Sequence, residues 1–172
     1  MNTHSEAKLV GLYPEFVRKI RQADDMLSAA GYRLGIAQAL RTWDEQDRLF
    51  LQGRDPLGHI VDPLKVVTHA RGGESYHNFA LAFDGFFTDA QGNAIWDDTY
   101  LGYAKMVEVC ESLGLTCGAR WHGDKRDADH VQMHGPFAED SPDDEIKYVF
   151  REGGFAAVFE RMNQSLGIEG GT

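Results

Sequence analysis

Eight residues, Ala80 to Phe87 (ALAFDGFF), do most to limit what this chain can fold into. Read as an extended strand, their side chains alternate, so that Leu81, Phe83 and Phe87 share one face while Ala80, Ala82, Asp84 and Phe86 share the other. The first is a core face. On the second, two alanines leave open space beside a carboxylate, and His77 precedes the strand where a turn can fold its imidazole over that space.

The segments on either side supply what such a strand can pack against. Phe16, Ile20, Ala23 and Leu27 recur at helical spacing and predict a helix over Pro14–Ala30, with Pro14 in its first turn and Gly31 at its C-cap. YRLGIAQALR alternates with Leu34, Ile36 and Leu40 on one side. Thr42 and Glu45 then stand at capping-box spacing, so a strand runs into a helix over Trp43–Gln52, leaving Arg41 at the strand end. Residues 53–76 show Gly, Pro and Asp at short intervals without a period, which predicts a long loop.

TDAQGN reads as a hairpin turn, followed by a helix over Tyr100–Leu113 entered through Asp98 or Thr99 and closed by Gly114. LTCGARW and HVQMH read as two further strands. The tail predicts one helix with Ser141 as cap and Pro142 at its first position, or two helices broken at Gly153 and Gly154. The elements lack a regular βαβ rhythm and a glycine-rich phosphate turn, so the expected fold is α+β, a small antiparallel sheet flanked by helices. At 172 residues the chain suits a single domain, 1–172.

A formal charge of -10 argues against nucleic acid as a partner, because phosphate contacts need clustered Lys and Arg. Neither a signal peptide nor a membrane span is visible, which predicts a cytoplasmic protein that does not engage a membrane. Cys110 and Cys117 form no C-x-x-C pair and read as small core residues.

Polar residues at both ends of the Ala80–Phe87 stretch suggest a metal. A carboxylate and a neutral imidazole are ordinary zinc ligands, and a catalytic site needs three of them. In DADHVQMHG, Val131 and Met133 point to the core if the segment is extended, while His130, Gln132 and His134 face the other way. His130 and His134 would be roughly 13 Å apart on one strand, too far to share an ion. His130 is the better candidate because it lies next to the acidic loop, so the spacing suggests His77, Asp84 and His130 as ligands, with the metal on the sheet face.

SYHNFALAFD resembles the S-x-H-x-x-G-x-A-x-D motif of the LAS-type zinc peptidases, which include D-alanyl-D-alanine carboxypeptidases and phage L-alanyl-D-glutamate endopeptidases. DADHVQ resembles their second motif, D-x-x-H followed by a strand, and LRTWDEQDRLFLQGR is similar to their Arg-containing strand-to-helix segment. The resemblance spans roughly Ala37 to Gln132. It implies His77, Asp84 and His130 as Zn2+ ligands, Asp127 as the catalytic carboxylate, and Arg41 and Ser75 as residues that hold the substrate. Ala80 departs from the motif by replacing Gly, a change that suits a position without positive φ. CGARW departs from W-G-G-D-W.

Asp124 and Asp129 are the alternatives to Asp127. Asp129 adjoins His130 and would point to the opposite strand face, which favours Asp127. The resemblance implies that Asp127 takes a proton from the attacking water and returns it to the leaving amine, with Arg41 or His122 beside the developing oxyanion. The implied substrate is the peptidoglycan stem peptide, cut by a monomer at the L-Ala–D-Glu bond as phage endolysins do, after release to the host periplasm. Alternatives are a D-alanyl-D-alanine carboxypeptidase and a non-catalytic zinc-containing wall-binding domain.

Overall fold

The computed structural model describes residues 1–168. In chain order the elements are α1 (Thr3–Lys8), α2 (Pro14–Ala29), β1 (Leu34–Gln38), α3 (Trp43–Phe50), β2 (Ala82–Thr88), β3 (Ala94–Ile95), α4 (Leu101–Ser112), β4 (Thr116–Cys117), β5 (His130–Gln132) and α5 (Asp144–Leu166). Short 3₁₀ turns stand at Pro63–Lys65, Tyr76–Phe79, Gly118–Arg120 and Gly123–Lys125. The fold is α+β, and its one antiparallel sheet runs β1-β2-β5-β4, with β3 also paired to β2. The chain divides into two compact units, Met1–Leu40 with Ala80–His134, and Arg41–Phe79 with Gly135–Thr172.

The first unit contains the sheet. Phe16, Ile20, Ala23 and Leu27 of α2 are all buried, as their spacing predicts, and Phe16 meets Phe83 of β2 at a centroid distance of 6.0 Å. Phe87 packs edge-on against Tyr103 of α4 at 5.1 Å. Each such ring taken out of water contributes roughly 1.5–3 kcal/mol, so the apolar face of β2 anchors the unit. Cys110 and Cys117 are free and buried, as expected. The TDAQGN segment makes the expected turn, with Asp89 N–H donating to the Asn93 carbonyl at 3.0 Å and Gly92 at positive φ.

Several boundaries differ from the sequence expectation. Helix α1 was not foreseen, since its polar residues carry no apolar period; Ser5 Oγ accepts from Ile36 N–H at 3.0 Å and so satisfies a donor of β1. Neither Asp98 nor Thr99 caps α4. Tyr100 occupies that position without a side-chain bond, and Asp97 instead accepts from the Thr99 N–H at 2.9 Å, a local turn that delays the helix. LTCGARW is extended only at Thr116–Cys117, because the Gly118 carbonyl accepts from Asp127 N–H at 3.1 Å and the chain turns there. Strand β1 ends at Gln38, so Arg41 lies beyond it rather than at its end.

The second unit contains α3 and α5. Thr42 and Glu45 form the predicted capping box, Glu45 N–H donating to Thr42 Oγ1 at 3.2 Å and Thr42 N–H to Glu45 Oε2 at 2.8 Å; the helix stops at Phe50 instead of Gln52. Asp143, and not Ser141, caps α5, accepting from Ile146 N–H at 3.0 Å. Pro142 therefore precedes the helix. Gly153 and Gly154 leave helical geometry as expected, with Gly154 at φ 62°. Trp43, Phe79 and Phe150 form an aromatic cluster, Phe79 and Phe150 meeting edge-on at 5.4 Å.

Candidate metal centre

Asp84 and His130 face each other as direct partners in the β2–β5 ladder. Side chains opposite one another on antiparallel strands start about 5 Å apart at Cβ, so this register alone joins the carboxylate to the imidazole. His130 Nδ1 lies 3.2 Å from Asp84 Oδ1. On its other side Nε2–H donates to the side-chain oxygen of Gln132 at 2.9 Å, the residue two positions along β5 and therefore on the same face. An amide oxygen can only accept, so Nε2 carries the proton and, in the neutral ring, Nδ1 turns its lone pair toward Asp84.

His77 comes from the 3₁₀ turn before β2, and that turn is held by Asn78. The Asn78 amide donates to the Arg41 carbonyl at 3.0 Å, its side-chain oxygen accepts from Gly73 N–H at 3.0 Å, and Arg41 N–H donates to the His77 carbonyl at 3.1 Å. Asn78 and His77 are both buried. The chain then reverses into β2 through Ala80, which sits at φ 63°, the only positive value among non-glycine residues described. The expectation that this position avoids positive φ is therefore overturned. The turn needs the left-handed conformation, and Ala carries about 1–2 kcal/mol of strain that Gly would not.

His77 belongs to the second unit; within the first, the Asp84 carboxylate and the His130 imidazole lie side by side on the sheet. Two imidazoles and a carboxylate make a donor set suited to zinc, and the Nδ1 lone pair directed at a carboxylate oxygen is satisfied by a cation between them. A proton can play the same part. Burial works against the His130 imidazolium, but the hydrogen bond and charge of Asp84, helped by Asp127 and Gln132, outweigh it and push the pKa up.

In the first unit, carboxylate oxygens of Asp84, Asp127 and Asp129 lie within 4.8 Å of one another. The Asp129 carboxylate thus turns toward Asp84 and not to the opposite strand face expected from alternation. Residues 127–129 precede β5 and do not follow its alternation, and the Asp129 carbonyl accepts from Gly85 N–H at 2.8 Å. Burial first, then the hydrogen bond and charge of Asp127 and the charge of Asp84, push the Asp129 carboxyl up to about 8. The side chain of Asp124 lies outside the described residues.

Gly118 makes this approach possible. A Cβ there would stand 2.6 Å from the Asp127 carbonyl oxygen and 3.1 Å from the Cβ atoms of both Asp127 and His130. Trp121 covers the His130 ring at 5.1 Å, whereas His122 is exposed in the same loop. Arg41 is buried and donates to Gln46 Oε1 at 2.7 Å, and Ser75 is half-buried at the entry to the His77 turn. Sequence reasoning assigned no role to Gln132, Asn78 or Gly118. The i,i+2 spacing of His130 and Gln132 was the one signal available for them.

This fold and donor set define a metallopeptidase. The D-alanyl-D-alanine carboxypeptidase family model matches residues 68–133, the stretch that contains His77, Asp84, Asp127 and His130. The peptidoglycan L-alanyl-D-glutamate endopeptidase CwlK of Bacillus subtilis (strain 168) is 38% identical over 125 residues, covering 66% of this chain and 71% of the relative. The chain belongs to the LAS-type zinc peptidase family. The crystal structure of the Serratia marcescens L-Ala D-Glu endopeptidase ChiX shares the fold at 22% identity and a TM-score of 0.55, covering 77% of this chain and 88% of that one. Among the described residues no helix is long and apolar enough to cross a membrane.

Proposed function

We propose that the protein is a zinc-dependent endopeptidase that hydrolyses the L-alanyl–D-glutamate bond of peptidoglycan stem peptides. The 38% identity to an endopeptidase of that specificity carries this reading, supported by the Asp84–His130 pair on the sheet and by His77, the third residue of the matched ligand motif. Zinc held by these three residues supplies Lewis acidity, polarising the scissile carbonyl and acidifying the attacking water. Asp127 accepts the water's proton and delivers it to the leaving amine, its carboxylate lying beside Asp84. Gln132 keeps the His130 ring oriented. Arg41 and Ser75 hold the substrate, Arg41 through a carboxylate or the scissile carbonyl.

The chain acts as one catalytic domain over residues 1–172 and as a monomer. Continuity of the family-matched stretch 68–133 through Phe79 and Ala80 supports a single domain. Its role is lysis of the bacterial wall, of the endolysin kind.

Mass spectrometry of digested peptidoglycan tests the reading. New L-Ala carboxyl and D-Glu amino termini are expected, absent with a chelator and with Asp127→Ala. Release of single D-Ala residues would instead assign a D-alanyl-D-alanine carboxypeptidase, the activity after which the matched family model is described. A tightly held zinc with no cleavage would make this a wall-binding domain. Lysis of cells by added protein, lost in Asp127→Ala, tests the biological role.

A further inference from the structure

From Phe83 onward strand β2 alternates: Phe83, Gly85 and Phe87 are buried while Asp84, Phe86 and Thr88 are partly open. Phe86 therefore lies on the same face as the metal-facing Asp84, two residues further along. Its ring stacks on Trp96, which directly follows β3, with centroids 5.0 Å apart and planes 24° from parallel. Trp96 is 57% exposed. The platform is built into the sheet, because Phe86 pairs with Gly35 of β1 and a Cβ on Gly35 would stand 2.4 Å from the ring. Glycine weakens a strand interior and often marks a place where another group must approach closely. Here that group is the Phe86 ring.

We propose that Phe86 and Trp96 form a glycan subsite, on which the muramic acid sugar bearing the stem peptide stacks its C–H face. This rests on the L-alanyl–D-glutamate reading given above. In that substrate the scissile carbonyl belongs to L-Ala, whose nitrogen is acylated by the lactyl group of the sugar. L-Ala plus lactyl spans about two residue lengths, roughly 7 Å. Asp84 and Phe86 are separated by the same two residues of strand, again roughly 7 Å.

A carbonyl held beside Asp84 thus brings the sugar to the aromatic pair. Aromatic faces carry negative quadrupole charge and attract the weakly positive C–H face of a pyranose. The net charge of -10 disfavours anionic wall polymers as the occupant and is indifferent to a neutral N-acetyl sugar.

The test compares kcat/KM on one stem peptide with and without its N-acetylmuramic acid, for the zinc-loaded protein and for Trp96→Ala. The sugar-bearing substrate is expected to be preferred at least tenfold, and Trp96→Ala is expected to erase that preference while leaving the sugar-free peptide within twofold. Equal rates on both substrates, or an equal loss on both in Trp96→Ala, would overturn the subsite while leaving the endopeptidase reading intact. Cleavage of neither substrate would overturn that reading instead. A second measurement then decides the subsite: titration with N-acetylglucosaminyl-N-acetylmuramic acid whose lactyl carboxyl is capped as the amide should shift the Trp96 indole N–H resonance, assigned by its loss in Trp96→Phe. An unmoved resonance overturns the proposal.

Discussion

The β2–β5 ladder and the turn at residues 73–80 each position imidazole or carboxylate groups proposed as metal ligands, by opposite means. In the ladder, Asp84 and His130 meet because repeating backbone bonds pin the register, and Gln132 follows on the same face from the same periodicity. In the turn, His77 depends on particular side-chain bonds from Asn78 and on one left-handed residue, Ala80. Regular structure sets ligand positions through many equivalent bonds, whereas irregular structure relies on a few that cannot substitute for one another.

The largest expected effect treats the two regions alike. Alanine at His77, Asp84 or His130 should abolish stoichiometric zinc and lower activity by more than about 100-fold, read by metal content and peptidoglycan digestion. Asp127→Asn should retain zinc yet lose on the order of 10²–10⁴ in kcat. Retained zinc in His77→Ala would show that the ladder holds the metal alone.

Separation of the two regions comes next. Gln132→Leu should weaken zinc affinity by about 10–100-fold, measured by chelator competition, with little change in melting temperature. Asn78→Ala should instead act first on stability, costing about 1–3 kcal/mol in urea unfolding because buried partners lose their bonds. If Asn78→Ala left stability unchanged, the turn would be held by its backbone and the comparison would fail.

The smallest effect concerns Ala80. Ala80→Gly relieves about 1–2 kcal/mol of left-handed strain but loses a buried methyl, about 0.8 kcal/mol, and loosens the unfolded chain by roughly 0.4–1 kcal/mol. Its stability should stay within about 1 kcal/mol of the parent. Ala82→Gly, in the ladder and without strain to relieve, should cost more by the same unfolding measurement.

Alternation in ALAFDGFF identified the core face of β2 and placed Asp84 opposite it, and the helical spacing of Phe16, Ile20, Ala23 and Leu27 identified α2. These are local periodicities: Leu81, Phe83 and Phe87 are buried and Asp84 and Phe86 partly open as the pattern requires, whereas Ala80 and Ala82, assigned to the open face, are fully buried, Ala80 in the turn before the strand. His77, Asp84 and His130 were legible as a group because motif resemblance joined segments that periodicity could not. The orientation of Asp129 was misjudged by extending the alternation of β5 backwards into residues that are not strand. Cap positions at α4 and α5 shifted because Asp97 and Asp143 competed successfully for nearby backbone donors.

By itself, then, the sequence determined which residues face the core and where the principal strand and helices lie, since each depends on near neighbours in the chain. Tertiary structure alone decided the positive φ of Ala80, the need for Gly118, the support from Asn78 and Gln132, and the approach of Asp127 and Asp129 to Asp84. Those depend on atoms brought together from distant segments, whose distances are set by packing and cross-strand register and leave no period in the sequence.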